Sequence, residues 1–158
     1  MKKTLSCLAR NRPGVLAKIA SIFAEEGINI YSLAAGEIEE EDKSRMTIVV
    51  EGDEHTVQKA AEHLSRVEEV IALEDFGEGG LIAMELLLIK VRLKPRSIPQ
   101  ILQIAELFNA QVIAVSGQAM VLALPSEEKR VNGLVSMLKP IGIIEMSRSG
   151  QIAVTSPE

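Results

Sequence analysis

Few side chains here have the type and spacing for covalent chemistry. His55 and His63 lie eight positions apart on one helical stretch, about 800° of rotation and so roughly 80° off a common line. Nearly two turns separate them, and they cannot chelate one metal ion by themselves. Cys7 sits mid-strand without an obvious base, which reads as a buried small hydrophobe rather than a nucleophile. Being the single cysteine, it forms no internal disulfide, and no Cys/His quartet exists for structural zinc. Asp75-Phe76-Gly77 spells a magnesium-binding tripeptide of phosphotransferases, but no phosphate loop or catalytic-loop signature accompanies it. Glu78-Gly79-Gly80 precedes a strand, whereas a phosphate cradle must open a helix, so it reads as a linker.

One local arrangement has a physical purpose. Asn11-Arg12-Pro13-Gly14-Val15-Leu16 is a polar loop that enters a helix through Pro and Gly. A helix start offers unpaired N–H groups and the positive end of the macrodipole, and Gly14, lacking a side chain, lets a carboxylate approach them. At the far end of the same helix, Gly27-Ile28-Asn29 turns into a strand, and the Asn29 carbonyl can accept from an ammonium group. A carboxylate binder and an ammonium binder together point to a free amino acid. A helix of about twelve residues spans ~18 Å, so one small ligand reaches both ends only if a second domain lies antiparallel beside the first. Plain turn chemistry remains the alternative for Pro-Gly at a strand-to-helix junction.

The elements that carry this loop follow from hydrophobic periodicity. An alternating run, Thr4 to Ala9, precedes a helix whose face is Val15, Leu16, Ile19, Ile22 and Phe23, with Pro13 where a first helical turn tolerates it and Gly27 as its stop. Strands from Asn29 to about Ile38 and from Arg45 to Val50 flank the acidic turn Glu39-Glu40-Glu41-Asp42. Asp53 is placed to cap a helix carrying Val57, Ala60, Ala61, Leu64 and Val67, and Glu69 to Leu73 reads as a short fourth strand.

After the Gly-rich joint the order repeats. A strand runs from about Ala83 to Leu93, and Ser97-Ile98-Pro99-Gln100 reads as a capping box for a helix with Ile98, Ile101, Leu102, Ala105 and Phe108 inward. Asn109 ends it. Strands follow at Gln111 to Val115 and Ala119 to Leu124. Ser126 with Glu127 and Glu128 opens a helix bearing Val131, Leu134, Val135 and Leu138, and Ile143 to Val154 is strand material broken by Gly150.

The expected fold is therefore α+β: two tandem ferredoxin-like β-α-β-β-α-β domains, residues 1–77 and 78–158, each an antiparallel four-stranded sheet with two helices on one face. Units this small, with strands such as Leu86-Leu87-Leu88-Ile89 apolar on both sides, call for an oligomer. The second unit's equivalent loop, Lys94-Pro95-Arg96-Ser97-Ile98-Pro99, has no Gly, so an effector site belongs to the first unit alone.

Composition removes several classes. The 158 residues are 47% hydrophobic and 25% charged, those of an ordinary globular chain. A net charge of -5 gives no general attraction to nucleic acid or anionic membranes, and three Phe, one Tyr and no Trp leave little to stack on bases. No helix-turn-helix or basic face for a DNA-binding regulator is visible. No apolar stretch approaches the ~18 to 20 residues of a membrane span, and Arg10 and Arg12 follow too soon for a signal core, so a cytoplasmic address is expected. Residues 1–80 carry 9 basic and 16 acidic side chains and the remainder 8 and 6, so the repeats are not functional copies. Lys90, Arg92, Lys94 and Arg96 read either as a charge-protected edge strand or as a docking face for an acidic partner.

Asn11-x-Pro13-Gly14-Val15-Leu16, then Gly27-x-Asn29-Ile30-x-Ser32-Leu33, then Ser44-Arg45-Met46-Thr47-Ile48 closely resembles the regulatory (small) subunit of acetolactate synthase, also called acetohydroxyacid synthase. Later landmarks agree, with Glu85-Leu86-Leu87-Leu88-Ile89-Lys90-Val91 opening the second domain and Ser147-Arg148-Ser149-Gly150 near the end. The first element alone would mark only an ACT domain, a broad amino-acid-sensing module. In two places the chain departs from the family's habit: Met84 stands where Arg is common, and Lys59 where Gln often is.

The resemblance implies a non-catalytic chain that binds the catalytic (large) subunit, raises its activity and confers feedback inhibition by a branched-chain amino acid, usually valine, in valine, leucine and isoleucine biosynthesis. Thiamine diphosphate, FAD and magnesium would belong to that partner, with no cofactor in this chain. It further implies a homodimer through ACT domains with the amino-acid effector at the interface. By carry-over, Asn11, Gly14, Val15 and Leu16 would hold the carboxylate end, and Asn29 with Ile30 of the neighbouring chain the ammonium end. Leu33 and Ala34 would meet the aliphatic tail. The alternative is a stand-alone ACT-type sensor controlling another enzyme or regulator; an enzyme in its own right lacks any candidate constellation.

Overall fold

Side chains alternate along β1 (Lys2–Arg10) so that Leu5, Cys7 and Ala9 are fully buried on one face. The computed structural model describes residues 2–76 and 80–157. The expected domain boundary, between 77 and 78, and the remainder of the Gly-rich joint up to 79 lie outside the described residues. α1 (Val15–Glu25) buries Val15, Ile19 and Phe23, one face at i, i+4, i+8. β2 (Asn29–Glu37) and β3 (Lys43–Glu51) form a hairpin, and α2 (Glu54–Ser65) follows. Asp53 caps α2, accepting from Thr56 N and Oγ1, each at 2.8 Å. β4 (Val70–Phe76) completes an antiparallel sheet of order β2-β3-β1-β4.

Against this sheet the two helices pack Leu5, Cys7, Ile19, Phe23, Ile48, Val57, Ala60 and Leu64 into one core. The opposite face is polar at its centre: Ser6 and Thr47 are buried there, and Arg45 Nη1 donates to Ser6 Oγ at 2.9 Å.

The second half repeats the plan with β5 (Leu81–Arg92), α3 (Ile98–Phe108), β6 (Gln111–Val115), β7 (Ala119–Ser126), α4 (Glu128–Leu138) and β8 (Ile143–Arg148) in the order β6-β7-β5-β8. Leu87, Ile89, Ile101, Leu122, Val131, Leu134 and Leu138 form its separate core. Glu85, buried on β5, accepts from Arg148 Nε at 2.5 Å and Nη2 at 3.1 Å, while Arg148 Nη1 donates to Asn132 of α4 at 2.8 Å.

A last strand, β9 (Ile152–Thr155), pairs with β5. Residues from Gln151 onward group with the unit that ends at Ala83, and Met84–Gly150 form the other. The tail expected to belong to the second domain is thus part of the first unit. Ala153 is buried there and its N–H donates to Thr47 Oγ1 at 3.2 Å, so β9 covers the polar centre of the first sheet.

Four local expectations change. β5 lies between β7 and β8, so Lys90 and Arg92 do not protect an edge strand; Lys90 instead pairs with Glu145 at 3.1 Å. Ser97 makes no capping box, because its hydroxyl is turned back on the Lys94 backbone, accepting at 3.1 Å and donating at 3.0 Å. On α3 the third buried residue is Ile104, whereas Ile98 and Leu102 are exposed. Ser126 ends β7, and Glu127 occupies the cap of α4 without a side-chain bond.

Candidate functional site

Gly14 is the N-cap of α1, in the left-handed region at φ 87°, with no side-chain cap and no acidic residue in the first turn. An added Cβ there would meet nothing within 4 Å. The helix therefore starts with open space beside its cap and with no first-turn carboxylate over the positive dipole end, while Val15 N–H donates to the Arg12 carbonyl at 3.3 Å. Val15 anchors the turn in the core while Leu16, next to it, is exposed. Asn11 is exposed in the same loop.

The loop is held from both flanks. Asn11 N–H donates to the Asp42 carbonyl at 2.9 Å, and Arg12 grips the Asp42 carboxylate through Nη2 at 2.7 Å and Nε at 3.3 Å. The hydrogen bond from Arg12 to Asp42, helped by their charges, raises the guanidinium pKa. On the other side Arg10 N–H donates to the Glu69 carbonyl at 2.8 Å, and the Glu69 carboxylate accepts from Lys18 of α1. That bond from Lys18 is the main reason the Glu69 pKa is lowered.

Asn29 lies at the opposite end of the unit. Gly27, at φ 70°, ends α1, Ile28 is buried behind it, and exposed Asn29 pairs with Glu51, whereas Arg10 pairs with Lys43 at the other end of β3. Eight strand steps at ~3.4 Å put roughly 27 Å between those register positions. Nearby, Glu26 faces Lys59 Nζ at 3.5 Å and His63 Nδ1 at 3.3 Å.

Within one chain, then, Asn11, Gly14, Val15 and Leu16 come together, and Asn29 with Ile30 do so elsewhere. Ile30 and Leu33 pack on the helix side of the sheet. Ala34 pairs with Thr47, on the reverse face from Leu33. Sequence reasoning does not single out Asp42 or Glu69; the acidic turn near Arg10 and Arg12 is a signal for Asp42, and Glu69, read as the start of a strand, carries none. β2 is the outer strand, and on it the buried Ser32 hydroxyl has no hydrogen-bond partner among the described residues.

Nothing at these positions resembles a catalytic centre. Burial pushes the Cys7 thiol up to about 11, only partly offset by Arg45, so it is a poor nucleophile. Among the described residues no group of three His, Cys, Asp or Glu could hold a metal, and no helix is long and apolar enough to cross a membrane. A hollow of about 230 Å³ in the second unit is lined by Leu88, Ile89, Val121 and Met146, with Lys90, Glu145 and Ser147 as its polar part. It shares no residue with the Gly14 loop.

A β-α-β-β-α-β unit with a glycine-capped, uncovered helix start and an outer second strand defines an ACT domain, and residues 5–72 match the family described as the AHAS small subunit-like ACT domain. Residues 84–157 match the family described as the small subunit of acetolactate synthase. The chain belongs to the acetolactate synthase small-subunit family. It is 36% identical to the acetolactate synthase small subunit of Mycolicibacterium smegmatis over 96% of this chain and 89% of that one. It is 35% identical to that of Aquifex aeolicus, over 97% and 80%. The crystal structure of the small subunit from Thermotoga maritima superposes with a TM-score of 0.92 at 28% identity, covering 100% of this chain and 99% of that one.

Proposed function

We propose that this chain is the regulatory subunit of an acetolactate synthase: it binds the catalytic subunit, raises its rate and lets valine inhibit the complex. It acts in the cytoplasm, in branched-chain amino-acid biosynthesis, and leaves thiamine diphosphate, FAD and magnesium to its partner. Residues 1–77 are the amino-acid-binding domain and 78–158 the second ferredoxin-like domain, with the tail after Gly150 lent back to the first.

The observation that carries this reading is Gly14, a left-handed cap with open space beside it and no internal anion over the helix start. The carboxylate of the amino acid binds there, near Asn11, Val15 and Leu16. Its ammonium group binds Asn29 and Ile30 of a second copy, and Leu33 meets the aliphatic tail; Ala34, on the reverse face, adds backbone only. The dimer forms along β2. Gly36 pairs with Arg45 and Asn29 with Glu51, so antiparallel addition of a second β2 carries its Asn29 toward the Gly14 end.

An effector inhibits only by binding one arrangement of the complex better than another, and a site shared between two chains meets that condition. The test is the acetolactate-forming rate of the cognate catalytic subunit with and without this chain, each repeated with valine. The expected result is a rise in rate that valine reverses. Absence of any rise removes the regulatory-subunit reading and leaves an amino-acid sensor for some other enzyme.

A further inference from the structure

Gly14 lends the proposed ligand loop room but no stiffness, so its geometry has to be imposed from outside. Two acidic residues do this in the same way from opposite flanks. Asp42, in the β2–β3 turn, gives its carbonyl to Asn11 N–H (2.9 Å) and its carboxylate to Arg12 (2.7 and 3.3 Å), with Arg10 Nη1 3.8 Å away. Glu69, between α2 and β4, gives its carbonyl to Arg10 N–H (2.8 Å) and its carboxylate to Lys18 in the first turns of α1. Each acid thereby fixes one backbone amide of the loop and one basic side chain beside it.

We propose that Asp42 and Glu69 are positioning residues of the effector site, clamping residues 10–14 so that Asn11 and the first-turn amides of α1 meet a ligand carboxylate in one fixed geometry. This rests on the reading of the Gly14 loop as that site. Hydrogen-bond donors act over a narrow range, ~2.7 to 3.2 Å, so a loop free to drift loses affinity without any ligand contact being deleted. Asp42 sits at φ 63°, a conformation that Asn and Gly also adopt readily. The carboxylate can therefore be removed while the turn is kept. Both ion pairs are exposed enough to contribute little to folding, so a purely structural role would leave ligand affinity unchanged.

The experiment is calorimetric titration of the full chain with L-valine, with L-leucine and L-isoleucine in parallel. Asp42→Gly is expected to raise the Kd about fivefold, the scale of one exposed ion pair. Asp42→Asn, which keeps the turn and one acceptor, should raise it less. Glu69→Gln weakens binding from the other flank, and Arg12→Met reproduces Asp42→Gly should that variant fold poorly. Asp42→Asn combined with Arg12→Met should be no weaker than the worse single variant. Wild-type affinity in Asp42→Gly and Glu69→Gln, or fully additive losses in the double variant, overturns the clamp. Gly14→Asp separates the two readings. If it abolishes binding while the clamp variants bind normally, the clamp alone fails; if it binds like wild type, or if wild type binds none of the three amino acids, the site reading fails and the clamp with it.

Discussion

A single glycine carries most of the regulatory chemistry proposed for this chain, and its neighbours make the prediction sharp. Gly14→Asp places a carboxylate over the helix start that the ligand carboxylate needs, so the complex should lose inhibition by valine. Stimulation of the catalytic subunit in the same assay reports that the variant has folded and docked, and an unchanged valine dose-response would rule the site out. Cys7 makes the opposite kind of statement. Its thiol, raised from 9.0 to about 11 by burial, should resist iodoacetamide at neutral pH in the folded chain and react on unfolding, as mass spectrometry would show. Because the folded pKa is the higher one, the stability that protonation gives is complete below about pH 9 and is lost as pH rises through 11. Urea midpoints measured at pH 8 and pH 11 check that sign.

Elements in the second unit are tied by one buried ion pair, and breaking it from one side should be costly. Arg148→Ala leaves Glu85 buried between β5 and its neighbours without its fork of donors, for an expected loss of ~3 to 5 kcal/mol in denaturant unfolding. Both β-α-β-β-α-β orders were legible because alternating and helical periods are local: Leu5, Cys7 and Ala9, or Val15, Ile19 and Phe23, announce their buried faces within a few residues. What sequence left unread is long-range. Strand order decides whether Lys90 protects an edge or crosses the middle of a sheet, and period alone does not set strand order. On α3, eight of the eleven positions from Ile98 to Phe108 are apolar, more than one face holds, so packing decides which go in, and Ile104 rather than Leu102 goes inside. The clamp on the Gly14 loop comes from residues 30 and 51 positions away from their partners, a separation no motif spans.

At the scale of the whole molecule, the first unit is interrupted: its chain leaves at Ala83 and returns at Gln151. β9 then caps the polar centre of the first sheet through Ala153 and Thr47. Ala153→Asp would bury a charge at that seam and is expected to destabilise the first unit by more than ~2 kcal/mol, seen as a lowered midpoint in urea unfolding followed by exchange of β3 amides. Unaltered exchange in β3 would mean that the strap adds nothing. The interruption also bears on biosynthesis. A ribosome delivers the Gly14 loop before Met84–Gly150 and delivers the strap over β3 only after them. The first unit, although begun before the second, is completed only after it, so a chain that stops anywhere within residues 84–150 lacks the strap however much of the second unit has been made.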